Sequence, residues 1–178
     1  MAKNTFMIRG SVTTAGDDTY SQAEIDLGSY TNLGSSKPEV LRIHRAHVYI
    51  TDTGGRPADM NGDKAGDLCW QLTTQTQSAL VLATDDSFLF GGNAAVRNPD
   101  SETFAPSQAF EQLILPQDYV AGAVVAVPTL FVGALSGTQF TESVVFSVIL
   151  ECSTEPMSKA NAVALAISQQ CLPWRKYA

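Results

Sequence analysis

One pair of histidines and several clusters of carboxylates are the groups with which this chain could bind a metal ion or move a proton. Its two histidines, His44 and His47, are spaced H-x-x-H, which on a helix would suit a zinc ion. Their neighbours alternate as in a strand, however, and strand positions three apart are expected to face opposite sides of a sheet. We therefore predict no shared metal ion here and no histidine-assisted nucleophile elsewhere.

Residues 48–55, VYITDTGG, resemble the apolar-Asp-Thr-Gly loop of aspartic proteases, in which two aspartates share a proton. One copy of the loop is present, so activity would require a homodimer. Residues 131–133, FVG, match the second signature of that family poorly. We interpret Asp52 and the glycines after it as a turn that closes a strand.

Residues 59–67, DMNGDKAGD, place oxygen ligands at alternate positions, as a calcium loop would. The resemblance to the EF-hand fails at Lys64, where glycine is needed, and at Trp70, where the closing glutamate belongs. A solvated turn is the preferred interpretation, and weak calcium binding is the alternative. Asp85 and Asp86 are adjacent and do not form an acid/base pair. The sequence thus predicts no catalytic residue, no cofactor and no enzyme.

The composition argues against a protein that neutralises nucleic acid. The chain has 178 residues, a formal net charge of −7 and a pI near 4.6, and its 11 Lys and Arg residues are scattered. Direct nucleic-acid binding is therefore not expected. Charged residues make up only 16% of the chain, and such a surface suits packing against copies of itself.

Three widely spaced cysteines indicate reduced thiols and an intracellular site of synthesis, with a Cys152–Cys171 disulfide as the alternative. The longest apolar run, residues 120–135, is interrupted by Pro128 and two glycines and is shorter than the roughly 18 residues of a membrane span. We therefore predict no membrane span, and the charged N-terminal residues predict no secretory signal.

Alternation of apolar and polar residues predicts the strands. It is clearest in residues 140–153, whose core side is formed by Val144, Phe146, Val148, Leu150 and Cys152. The same pattern predicts three further strands, at residues 22–27, 45–51 and 68–73, the last with Trp70 towards the core. Weaker strands are predicted at residues 6–12, 79–84, 88–90, 111–115 and in the two halves of 120–135.

Segments rich in Gly, Asp, Asn, Ser and Pro predict long connections at residues 14–19, 28–38, 53–67 and 91–108. About eight to ten short strands without βαβ alternation predict an all-β fold, an antiparallel β-sandwich. We assign residues 1–155 to this sandwich and residues 156–178 to a C-terminal helix and tail.

The terminal helix is predicted from a change of period after Pro156. Its apolar stripe is formed by Ala160, Val163, Ala164, Ile167 and Cys171. A helix of about four turns is marginal alone, so the stripe must dock, either on its own sandwich, which we favour, or on a neighbouring copy. The tail residues Trp174, Arg175, Lys176 and Tyr177 are of types enriched at interfaces.

The layout of strands and long loops over residues 5–155 resembles viral single jelly-roll capsid proteins. This resemblance implies a structural subunit that self-associates through lateral sandwich contacts, as a homo-oligomer or shell located in the virion. Other virion proteins are further expected partners. A basic N-terminal arm, common in such proteins, is missing here. The alternative function is a glycan- or receptor-binding sandwich module, lectin-like or a virion appendage.

Overall fold

Nine β-strands and one α-helix form the regular structure of residues 4–170, the residues that the computed structural model describes. The strands are β1 (Phe6–Thr14), β2 (Ser21–Asp26), β3 (Glu39–Thr51), β4 (Lys64–Thr73), β5 (Phe88–Asn98), β6 (Gln108–Ile114), β7 (Ala123–Val125), β8 (Thr129–Ser136) and β9 (Val144–Pro156). A short 3-10 turn, Pro116–Asp118, follows β6, and the helix α1 is Lys159–Gln170.

The strands form two antiparallel sheets packed face to face. The first has the order β1-β9-β3-β7, and the second has the order β2-β8-β4-β5-β6. Without β6, each sheet has four strands, and the chain crosses between the sheets at every connection except β4 to β5. This is the strand order of a jelly roll, a fold of viral capsid and lectin domains. The predicted sandwich and its resemblance to the jelly-roll capsid fold are confirmed.

β9 forms the centre of the first sheet, as its long alternating sequence predicts. It pairs with β1 from Phe6 to Thr14 on one side and with β3 from Glu39 to Thr51 on the other. Its alternate side chains Val144, Phe146, Val148, Leu150 and Cys152 are fully buried. They meet the second sheet, where Trp70 and the other inward side chains of β4 and β8 complete one core. The predicted core position of Trp70 is confirmed.

Three stretches of the second sheet differ from the prediction. Residues 64–67, predicted as part of a long connection, belong to β4. The strand expected at residues 79–84 is a loop, whose backbone is bonded to the amide side chain of Gln71 through Ala79 and Val81. Conversely, β5 continues through Gly91 and Gly92, where we predicted a loop. A Cβ at Gly91 would lie 2.6 Å from the carbonyl oxygen of Trp70, so these glycines permit close packing inside the sheet rather than mark a turn.

The prediction that His44 and His47 face opposite sides is wrong. The register of β3 against β9 shifts between Ile43 and Arg45, and such a bulge inserts one extra residue and inverts the phase of the alternation. Both histidines consequently lie on the solvent side of the first sheet, and His44 Nε2 lies 2.8 Å from Ser153 Oγ.

α1 docks on its own sandwich, but with a different face from the predicted one. Its buried residues are Ala162, Ala166 and Gln169, and the two alanines pack with Val40 and Ala126. The predicted stripe faces solvent, since Val163 and Ile167 are exposed. The small alanines allow close approach to the sheet edge, whereas the larger side chains would hold the helix away. Cys171, predicted to extend the stripe, lies outside the described residues.

Candidate interaction surface

The segment at Asp52 is a structural turn, and the segment at residues 59–67 is a short turn that continues into β4. The carboxylate of Asp52 accepts hydrogen bonds from the backbone N–H groups of Gly54 and Arg56, so it closes the turn after β3 as predicted. The segment from Asp59 is held by neighbouring loops, with Thr141 bonded to the Asp59 carbonyl and Asp63 to that of Asp100. Within residues 4–170, no three His, Cys, Asp or Glu side chains are grouped to hold a metal ion.

The tail residues proposed as an interface, Trp174, Arg175, Lys176 and Tyr177, lie outside the described residues. The described part of the chain contains no helix that is long and apolar enough to cross a membrane.

One lateral side of the sandwich, formed by β1 and β2, is closed. These two edge strands belong to different sheets, yet they pack on each other because β1 has glycine where β2 presents a bulky side chain. A Cβ at Gly10 would lie 2.5 Å from Ile25 Cδ1, and Ile25 is buried. Nearby, the hydroxyls of Thr14 and Ser136 share a buried 2.6 Å hydrogen bond that links β1 to β8.

The opposite lateral side is open, because β7 is only three residues long and pairs with β3 only from Leu41 to Ile43. Beyond this point, the Ala46 N–H donates to Gln117 Oε1 at 3.0 Å, and Gln117 Nε2 donates to the Ala46 carbonyl at 3.1 Å. Backbone direction alternates along a strand, so Val48 and Ile50 also direct their N–H and C=O groups away from β9. No strand of the described chain lies beside them.

β6 forms the other wall of this side and extends past the first sheet. It pairs only with β5, and six of its seven residues are exposed. Phe110 retains 65% of its accessible surface, and Leu113 retains 47%. We use the term open side for β6 together with the β3 edge at residues 46–51.

A cavity of about 230 Å³ lies between the two walls of the open side. Its lining is mostly apolar and includes Val48 and Ile50 of β3, Trp70 of β4, and Leu113 of β6, while Glu111 is the acidic residue in the lining. Apolar groups and unpaired strand edges thus occur together on this one side, which is the combination that marks a contact surface.

Glutamine side chains protect the sheet edges at two positions that the sequence did not reveal. Besides Gln117 on β3, Gln169 of α1 donates to the Val124 carbonyl at 2.8 Å and accepts from the Ala126 N–H at 2.9 Å. Each amide supplies one donor and one acceptor, as a neighbouring strand would. The sequence is rich in uncharged polar residues, but this composition does not identify which glutamines bond to the backbone of a strand edge.

The solvent face of the first sheet carries a polar pocket of about 420 Å³ near β7, lined by Arg42, His44, Arg45 and Tyr119 among others. Arg42 forms a bidentate ion pair with Glu155, with N–O distances of 2.5 and 2.7 Å, and this hydrogen-bonded carboxylate raises the pKa of Arg42. Arg45 lies 3.8 Å from Glu151, and its side chain remains largely exposed. Arg45 is thus the more available cation of the pocket.

Comparison with solved structures finds VP1 proteins of polyomaviruses at low identity. VP1 of Trichodysplasia spinulosa-associated polyomavirus, solved with GM1 oligosaccharide, is 9% identical, over 86% of this chain and 96% of that one, with a TM-score of 0.44. Human polyomavirus 12 VP1, solved with 3'-sialyllactosamine, is 11% identical, over 86% and 100%, with a TM-score of 0.42. A Merkel cell polyomavirus virus-like particle chain is 8% identical, over 88% and 76%, with a TM-score of 0.39. No protein-family model and no curated protein sequence matches the chain.

Proposed function

We propose that this chain is a structural coat subunit of a virus or phage particle, which assembles with copies of itself through lateral contacts of the sandwich. The open side carries this proposal, because it combines an unpaired edge of β3, an overhanging β6 and exposed apolar side chains. A subunit that functioned alone would be expected to protect such edges.

The weakly charged composition agrees with this function. Charged residues make up 16% of the chain, and contacts between copies are less costly where few charges must be desolvated. The jelly-roll topology agrees as well, since capsid domains are among its main uses. Location in the virion and contacts with other virion proteins follow from the same proposal.

Light scattering after size-exclusion chromatography, over a range of protein and salt concentrations, tests the proposal, together with electron microscopy of the recombinant protein. We expect oligomers or uniform particles that Leu113→Glu weakens. Leu82→Glu is the matched control, since Leu82 is also exposed but lies in the loop between β4 and β5. A strict monomer at every concentration would refute the proposal.

A second candidate function, glycan binding, is favoured by the polar pocket near β7. Arg45 and Tyr119 there offer a cation and an aromatic ring, which suit an acidic sugar. A glycan array with the wild-type chain and Arg45→Ala tests this function. Hits that the substitution abolishes would support it, and an array without hits would count against it.

A further inference from the structure

The outer edge of β6 has no partner strand within residues 4–170. Several devices usually protect such an edge, among them proline, bulges and lysine. β6, with the sequence QAFEQLI, has neither proline nor lysine, and its register with β5 is unbroken. Its one charge is Glu111. The edge is therefore available to another strand.

We propose that β6 pairs with β6 of a second copy, antiparallel across a two-fold axis at Phe110, so that the five-stranded sheets of two subunits join. The inference deepens the proposed function, on whose self-association it rests, by naming one of the contacts. A two-fold contact of this kind uses the same patch on both subunits.

The charge and shape of β6 select this register. With Phe110 opposite the partner's Phe110, the two exposed rings bury each other, and aromatic cross-strand pairs stabilise a sheet. Glu111 then lies opposite the partner's Ala109, and Gln112 lies opposite the partner's Gln108. A shift of the axis to position 111 would place two glutamates opposite each other, which is unfavourable.

The contact is expected to be weak in isolation. A strand edge with one aromatic anchor buries less than the roughly 800 Å² per partner of a standard stable interface. It therefore depends on protein concentration and is strengthened when other contacts of an assembly hold the subunits nearby. Such behaviour suits a contact that recurs in a particle.

Cysteine crosslinking tests the axis directly in the full chain carrying Cys171→Ser. Phe110→Cys brings two thiols directly opposite each other, within disulfide reach. Ala95→Cys is the matched control, because Ala95 pairs with Phe110 on β5 and is also exposed. Two such thiols would be three strand spacings apart, about 14 Å. The native Cys69 should not compete, since burial and the nearby Asp67 raise its pKa to about 11.

We expect Phe110→Cys to give a disulfide-linked dimer at least tenfold faster than Ala95→Cys. Gln112→Cys should crosslink only when mixed with Gln108→Cys. Rapid crosslinking of Gln112→Cys alone would overturn the proposed axis. So would a mixture of Gln112→Cys and Gln108→Cys that crosslinks no faster than either variant alone, because both variants retain Phe110.

The outcomes separate this inference from the proposed function. Particles or oligomers in which a mixture of Gln112→Cys and Gln108→Cys, which both retain Phe110, does not crosslink would refute the β6 contact and leave the coat function standing. Crosslinked dimers that never form larger species would support the contact and count against the coat function. A wild-type chain that is monomeric throughout, with no crosslinking, would refute both.

Discussion

Each lateral side of the sandwich ends in two edge strands, one from each sheet. These two strands pack against each other on only one of the sides. On the closed side, β1 and β2 pack together because Ile25 occupies the space above Gly10. On the open side, β6 overhangs the first sheet, and the edge of β3 is bonded at Ala46 by one glutamine side chain.

The two lateral sides of the subunit therefore differ in the groups that they expose to solvent. Phe110 and Leu113 are exposed where β3 and β6 diverge, whereas Ile8, Val12 and Ile25 are buried on the β1–β2 side. Contacts between copies should therefore begin on the open side, and substitutions on the two sides should affect different properties. Closed-side changes should lower the stability of the monomer, and open-side changes should alter association.

The largest effect on the free energy of unfolding is expected on the closed side, formed by β1 and β2. Ile25→Ala should lower the free energy of unfolding by about 2 to 5 kcal/mol, because it leaves a cavity between the sheets. Leu113→Ala on the open side should cost less than about 1 kcal/mol, since Leu113 is half exposed. Urea denaturation monitored by tryptophan fluorescence measures both values, and similar losses at the two positions would remove the distinction between the sides.

The centres of the sheets could be predicted from sequence, because burial on one face imposes a two-residue period. β9 and the inward position of Trp70 followed directly from that period. The open side could not be predicted in this way. Residues 111–115 read as a weak strand, and nothing in their pattern indicated that this strand would lack a partner, since pairing depends on residues distant in the chain.

Long-range contacts also explain the errors. Gly91 and Gly92 resemble turn residues locally but lie inside β5, where neighbouring strands leave no room for a side chain. The bulge before Arg45 placed His44 on the same face of the sheet as His47, where opposite faces were expected. In α1, two overlapping stripes were available, and the smaller alanines docked while the bulkier residues stayed exposed.

An intermediate effect on the free energy of unfolding is expected at Gln117, whose side chain protects the β3 edge at Ala46. Gln117→Leu removes both hydrogen bonds to Ala46 and should cost about 1 to 2 kcal/mol of unfolding free energy, since water can reach the freed groups. It should also increase association, because one more residue of the β3 edge becomes free. Gln170→Leu, exposed on α1 and outside the open side, is the matched control for the added apolar surface.

Urea denaturation and light scattering on the same samples separate these two consequences. If Gln170→Leu increased association as much as Gln117→Leu, the added leucine would be the cause, and protection of the β3 edge by Gln117 would be disproved. Unchanged stability of Gln117→Leu would mean that water replaces the amide without cost.

The smallest effect on the free energy of unfolding is expected on the outward face of α1, which faces solvent and is separate from the open side. Ile167→Ser should change the free energy of unfolding by no more than about 0.5 kcal/mol, because Ile167 is more than half exposed and surface changes are usually within this range. Ala166→Ser, one position away and buried against the sandwich, should cost more, about 1 kcal/mol or above, since its hydroxyl loses water. Thermal denaturation of both variants at low protein concentration compares them without association. A larger loss for Ile167→Ser than for Ala166→Ser would restore the stripe predicted from the sequence and place α1 on the sandwich by its other face.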